Sequence, residues 1–495
     1  MPHILAIDQG TTSTRAVVYD QAGRALGSAA RELMQHFPRP GWVEHDADEI
    51  WQSVSEVVPA ALAAAGVNAK QLAGIGVTNQ RETVVVWERG SGTPLGKAIV
   101  WQDRRTADFC RDHQSDRNWL NEKSGLVLDP YFSATKLHWL LQHHPDWPPR
   151  AERGELAAGT IDSFLIARLT GGAAHVTDVT NASRTLLLNL RTAAWDDELC
   201  RYFDVPRAML PEVKPSAAEF GTTRGLDFLP DGLPIAGVAG DQQAALFGQA
   251  AFSPGESKCT YGTGAFFLLH TGGTPVMSKH HLLSTIAATT DSAPQYALEG
   301  SVFVAGAAVQ WLRDGLKLFT KAEESEPLAR EADPDLPLVF VPGFVGLGAP
   351  HWIPDARGAM FGLTRNTGAA DLARSALEGV AFQVADLIEA ARHDAGMPLA
   401  QLRVDGGMAR NAWFLQRQAD VLGIPVSASA QSEATALGAA FLAGLRVGVW
   451  KDLAALRGIA AQGQRFEPHW TTEQRERRLA QWRRAVKAVL LYHES

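Results

Sequence analysis

Apolar and polar positions alternate in short blocks at the start of the chain. Ile4 to Ile7 predicts a strand, Gly10 to Ser13 a turn and Arg15 to Tyr19 a second strand, with Ala22-Gly23 turning into a third. From about Asp48 to Ala65 the spacing becomes helical. Asp46 and Glu49 stand at capping-box spacing, Gly66 is the stop signal, and Pro59 predicts a kink. The strand–turn–strand device recurs at Lys258 to Tyr261, Gly262-Thr263-Gly264 and Ala265 to Leu269, a hint of a duplicated core. Beyond it the pattern is α/β. Leu372, Leu377, Val380, Val384, Leu387 and Ile388 mark a long helix within Asp371 to Gly396. A strand (Leu402 to Val404), a Gly turn, a helix (Asn411 to Leu422), a strand (Ile424 to Val426) and a helix (Thr435 to Leu445) follow. That order predicts a parallel sheet covered by helices. Ser253-Pro254-Gly255 punctuates the pattern near Gln249 to Gly255, which divides the chain into domains 1–249 and 250–495.

A chain of 495 residues exceeds one ordinary core, so two large domains are expected. Its 46% hydrophobic and 20% charged content suits a folded protein, and a net charge of −8 argues against non-specific nucleic-acid binding. The longest nearly apolar stretch, Ala436 to Leu445, falls short of the ~20 residues that cross a bilayer. The opening MPHILAIDQG reaches an acidic residue too early for a signal peptide. Cys110, Cys200 and Cys259 form no CxxC, so neither a zinc site nor a disulfide framework is expected, and reduced thiols in the cytoplasm are.

The familiar nucleotide motifs are missing. Gly96-Lys97 looks like the end of a P-loop, but Ser91 and Ala98 break the pattern. Asp8-Gln9-Gly10-Thr11-Thr12-Ser13-Thr14-Arg15 offers another anion cradle, with backbone N–H groups, hydroxyls, the Arg15 charge and a carboxylate, Asp8, suited to Mg²⁺. The same residues also suit an ordinary β-turn. Asp241, in Gly240-Asp241-Gln242-Gln243, follows the predicted strand Ile235 to Val238. It reads as a helix cap, or as a carboxylate at a strand's C-terminal end that accepts a hydroxyl proton; from this motif alone the cap is favoured. Arg81-Glu82 reads as a solvated surface pair, or as donor and acceptor for neighbouring hydroxyls of a polyol. Trp101, Tyr131 and Phe266 read as core aromatics or as walls for a carbon face.

Taken together these segments resemble the FGGY carbohydrate kinases over nearly the whole chain. Two signatures carry the resemblance: Tyr131 to Leu140 (YFSATKLHWL), and the run from Gly358 through Gly362-Leu363 to Glu378. DQGTTS, PGWVEHD, TNQRET, HVTDVTNASRT, GDQQAALFGQ, YGTG and FVGLGAPHW point within it to the members that phosphorylate glycerol. The resemblance implies a two-domain actin-like, ribonuclease-H-like α/β ATPase fold with its ligand cleft between the domains. It implies ATP and Mg²⁺ as cofactors, glycerol as acceptor, and a homo-oligomer, dimer or tetramer. Carried over residue by residue, it puts Arg81, Glu82, Tyr131, Asp241 and Gln242 on the glycerol hydroxyls and Trp101 and Phe266 against its carbons. Thr11, Thr12, Ser13 and Arg15 match a first phosphate loop, and Thr263 and Gly264 a second. Gly306, Gln310, Gly407 and Asn411 match nucleotide contacts, Asp241 the general base, and Asp8 with Asp241 the metal site. Some bacterial members carry an Arg in a Gly-rich loop used for inhibition by fructose 1,6-bisphosphate. Leu233 stands at that position here, so that inhibition is not expected.

Overall fold

A computed structural model describes residues 2–493 apart from positions 335, 354, 431, 432 and 461. Its framework is two sheets. The first orders β3 (Ala25–Glu32), β2 (Ser13–Tyr19), β1 (His3–Gln9), β4 (Leu72–Asn79) and β5 (Pro234–Gly240), with Gly221–Thr222 at the edge. The second orders β8 (Gln295–Val302), β7 (Ala265–Gly272), β6 (Ser257–Tyr261), β9 (Leu402–Asp405) and β10 (Val426–Ser429), flanked by Leu283–Ala287 and Gln462–Phe466. Both run in the same sense. Three antiparallel strands are followed by two parallel to the first, so the recurrence of strand–Gly–strand in the sequence marks a repeated sheet. The parallel sheet expected for the C-terminal half is therefore mixed: only β6, β9 and β10 run parallel.

β1 is apolar on both faces because it lies between two cores. Leu5 and Ile7 pack with α1 (Ala47–Ala65) through Ile50, Val54 and Val58. Ile4 and Ala6 face α5 (Ala434–Arg446) through Leu437, Ala440 and Phe441. α1 starts at Asp46, whose side chain accepts from the N–H groups of Asp48 and Glu49, and stops at left-handed Gly66. The capping box is half formed, since Glu49 instead accepts from the Met34 N–H at 3.1 Å. The exposed Pro59 does not end the helix.

α5 also packs outside its own half of the chain. It follows β10 in the C-terminal half, yet its neighbours are β1, β4, β5 and α2 (Asp241–Gly248) of the N-terminal half. Glycine makes this possible. A Cβ at Gly438 would strike the carbonyl of Ala244, and one at Gly248 the carbonyl of Ala434. The second sheet's own core is closed by α3 (Ala369–Ala395) and α4 (Ala412–Leu422). β10 begins two residues later than its apolar pattern suggested.

Candidate active site

The site forms where parallel strands end together. In register, Gln9 of β1 lies beside Asn79 of β4, and Asn79 beside Gly240 of β5. Asp8, the segment Gln80-Arg81-Glu82 and Asp241 therefore emerge side by side at the C-terminal ends, where α/β proteins hold ligands. The second sheet repeats the arrangement, with Thr260 of β6 paired to Asp405 of β9 ahead of the loops at Gly262–Gly264 and Gly406–Asn411.

Arg81 and Glu82 are not a surface pair: with Arg184 and Glu299 they form a quartet in which no member is more than 3% exposed. Arg81 donates to both oxygens of Glu299, at 2.5 and 2.8 Å, and to Gln243 Oε1 at 3.1 Å; its Nε lies 3.1 Å from Asp241 Oδ1. Arg184 donates to Glu82 Oε1 at 2.7 Å and to Glu299 Oε1 at 3.1 Å. Burial alone would push the Glu299 carboxyl up, but Arg184 and Arg81 hold it at about 2. Glu82 is raised, burial outweighing the same two cations. Its φ of 62° and the Thr83 N–H to Arg81 carbonyl bond of 2.7 Å make a tight three-residue turn, with strain of a kind that persists where surrounding structure enforces it. Ser133, in the YFSATKLHWL signature, donates to the Glu82 carbonyl at 3.0 Å.

Asp241 is not the helix cap. Gly240 occupies that position, and Asp241 is the first helical residue; its Oδ1 accepts only from the adjoining Gln242 N–H, at 2.7 Å, besides the Arg81 contact. Beside it, burial pushes the half-buried Asp8 carboxyl up to about 7; the Asp241 charge adds to this and Arg15 opposes it. A buried carboxyl with a second carboxylate close by fits a divalent cation. Among the described residues no cluster of three or more His, Cys, Asp or Glu could hold a metal alone. A Mg²⁺ here would need phosphate oxygens and water to complete its shell, its usual preference.

The first loop is braced from behind. Gly10 donates to the Ser13 carbonyl at 2.9 Å, and Gln80 Nε2 to Gln9 Oε1 at 3.1 Å. Trp101, expected as a core aromatic or an apolar wall, donates its indole N–H to Thr11 Oγ1 at 2.9 Å and meets Tyr131 edge-on at 5.5 Å. Thr12 is exposed and Ser13 partly so. Arg15 forms an ion pair with Glu433, just ahead of α5, so a phosphate must compete for it.

On the second sheet, the N–H of Gly306 donates to the Gly262 carbonyl at 3.0 Å and that of Ala305 to the Thr263 carbonyl at 2.9 Å. A Cβ at Gly264 would crowd the Val302 carbonyl, and one at Gly406 (φ 90°) the backbone of Tyr261. Thr263, Gly264, Gly306 and Gly407 thus cluster around the end of β6, with Gln310 exposed one turn along the helix Gly306–Asp314. The Asn411 side chain accepts from the Phe414 N–H at 2.8 Å, which caps α4 and leaves its NH₂ for a ligand. Phe266 lies between Thr260 and Ser301 in the sheet. Buried Lys258 donates to Gln242 Oε1 and to Thr260 Oγ1, the latter at 2.9 Å, and so ties β6 to the first turn of α2. By contrast Gly96-Lys97 is no phosphate loop; Lys97 pairs with Asp46. Leu233 is buried, with its N–H donating to Thr223 Oγ1 at 3.0 Å.

Sequence reasoning passed over Glu299, Arg184, Gln243 and Lys258. A usable signal was present for Glu299, the one charge within the strand QYALEGSV, since an isolated carboxylate in a buried strand requires a partner.

This repeated fold, with acidic, cationic and glycine-rich segments converging between two sheets, agrees with comparison to known proteins. The chain matches the FGGY family of carbohydrate kinases, its N-terminal domain over residues 3–248 and its C-terminal domain over residues 257–447, and it belongs to that family. Within the family its similarity to glycerol kinases extends end to end. It is 55% identical to the glycerol kinase of Allorhizobium ampelinum over 491 residues, 98% of this chain and 99% of that one. The crystal structure of Plasmodium falciparum glycerol kinase with ADP superposes with a TM-score of 0.94 at 37% identity, covering 99% of this chain and 98% of that one. A xylulose kinase of Lactobacillus acidophilus shares the fold, with a TM-score of 0.86 at 22% identity over 99% of this chain and 98% of that one.

Proposed function

We propose that this chain transfers the γ-phosphoryl group of ATP to a terminal hydroxyl of glycerol, giving glycerol 3-phosphate. Asp241 carries the reading: a carboxylate free of capping duty, at the strand ends, with Arg81 at 3.1 Å and the Asp8 loop beside it. Residues 1–249 supply most of the acceptor site and the first phosphate loop, and residues 250–495 the second loop and the adenosine contacts.

Arg81 and Glu82 offer donor and acceptor to adjacent hydroxyls, with Tyr131 and Gln242 at the rim and Trp101 and Phe266 against the carbons. Asp241 orients the reacting hydroxyl and takes its proton. In phosphoryl transfer such positioning and charge neutralisation do most of the work. Thr11, Thr12, Ser13 and Arg15 on one side and Thr263 and Gly264 on the other hold the phosphates. Gly306, Gln310, Gly407 and Asn411 hold the rest of the nucleotide. Mg²⁺ near Asp8 and Asp241 would supply the neutralising charge on the phosphate oxygens. Closure of the two halves over the bound substrates would exclude water as a competing acceptor.

Among the described residues no helix is long and apolar enough to cross a membrane. The three cysteines are free and buried, which favours a reducing compartment, the cytoplasm. Assembly as a dimer or tetramer follows from the family resemblance. The test is coupled ADP release with no acceptor, with glycerol, with propane-1,2-diol and with xylulose. Release should depend on glycerol and collapse with the diol, which leaves a buried charged group unpaired. Acceptor-independent release, or a preference for the ketose, would overturn the reading.

A further inference from the structure

Most groups assigned to the acceptor come from the N-terminal half, and the quartet holding them is closed from the other half. Glu299 sits in the middle of β8, two strands away from β6 in the second sheet. Its carboxylate takes both Arg81 bonds and one from Arg184, and 218 residues separate it from Arg81 along the chain. A two-pronged carboxylate–guanidinium contact fixes the plane of the guanidinium as well as its place. With that plane set, the Arg81 Nε edge is what remains for Asp241, at 3.1 Å. Arg184, fixed by the same carboxylate, holds Glu82 at 2.7 Å and lies with its guanidinium carbon 5.8 Å from the Tyr131 ring centre. One carboxylate therefore orients both members of the Arg81-Glu82 pair, and indirectly Asp241. The quartet carries two positive and two negative groups, so its burial leaves no uncompensated charge.

We propose that Glu299 is a positioning residue for the acceptor. It touches no substrate, but from the C-terminal sheet it sets the orientation of Arg81 and, through Arg184, of Glu82, so the polyol site exists only when the two halves are docked. This rests on the polyol kinase reading above. The other nearby cations have partners of their own, Lys258 on Gln242 and Thr260 and Arg15 on Glu433.

The test is Glu299→Gln, which keeps shape and one acceptor oxygen but removes the charge and the second acceptor. Steady-state kinetics would be run with glycerol and ATP varied separately, beside a thermal melt. Loss of a charge-assisted bond predicts that kcat/KM for glycerol falls roughly 10- to 100-fold, while KM for ATP stays within about twofold. A purely structural carboxylate would lower the melting point and leave glycerol and ATP affected alike, or neither affected; either result overturns the proposal. If Glu299→Gln fails to fold, Glu299→Asp decides. It keeps the charge, shortens the reach by one methylene, and must show the same glycerol-selective loss at smaller size. An inert wild type would defeat the kinase reading and the inference with it; an active wild type with an unaffected variant defeats the inference alone.

Discussion

Replacing Asp241 by Asn separates its electrostatic and chemical roles. Gly240 already caps α2, and Arg81 keeps its two bonds to Glu299, so the variant should fold and melt near the wild type. Asn cannot take the hydroxyl proton. A general base is worth roughly 10²–10⁴-fold, so kcat should drop by at least about two decades; near-normal turnover in a folded variant would remove Asp241 from the reaction. Asp8 gives a second expectation, with a defined sign. Its carboxyl is raised to about 7, so the free protein binds an extra proton between the ordinary aspartate range and that value. Apo stability from this group is lost as pH rises through that window, and a cation must displace the proton to bind. The Mg²⁺ concentration needed to bring ADP onto the enzyme, followed by calorimetry, should therefore fall as pH rises toward about 7 and level off above it. Asp8→Asn should abolish that trend. Asp8, Arg81 and Asp241 could be singled out in sequence because each stands at a strand end beside other chemistry-bearing residues, although the motif alone favoured a cap for Asp241 and a surface pair for Arg81. Glu299 and Arg184 could not be, because their partners lie 218 and 115 residues away and no local spacing encodes such pairings.

Elements were legible wherever the signal is local. The caps of α1 and the stops at Gly66, Gly396 and Gly423 fall where the sequence puts them, because capping and left-handed glycine are decided within one turn of chain. Strand direction and sheet membership depend on partners elsewhere, so the mixed second sheet was not visible. α5 is the strongest case. Its small residues, ATALGAAFLAGLR, read as a helix but not as one that leaves its own sheet. The close approach at Gly438 leaves no room for a methyl group against Ala244. Gly438→Ala should cost roughly 1–3 kcal/mol through overpacking, read as a lower denaturation midpoint. Gly458→Ala, in the helix Leu453–Ile459 with open space around it, should be neutral or mildly stabilising. Equal effects from the two would remove packing as the cause.

Across the whole molecule, α2 and α5 bind the halves together. α2 leads from the first sheet and touches β6 and β7 of the second; α5 follows the second and covers the first. A chain cut between Gln249 and Ala250 would leave the C-terminal piece with Leu437, Ala440 and Phe441 stripped of the β1 side chains they cover. That piece alone should bind a hydrophobic dye and melt without cooperativity, and co-expression of both pieces should restore a sharp transition. A sharp melt from the isolated piece would show that α5 does not need the first sheet.

The bond between Arg81 and Glu299 also sets a timetable. A ribosome adding roughly 5–20 residues per second needs about 10 to 40 seconds to make the 218 residues between them. Through that interval Arg81, joined by Arg184 for the last 115 residues, is without the carboxylate that orients both. A nascent chain can therefore carry every acceptor-contacting residue of its first half and still have no ordered place for a polyol. If Glu299 positions the acceptor as proposed, acceptor binding begins no earlier than the arrival of β8, residues 295–302 of the 495.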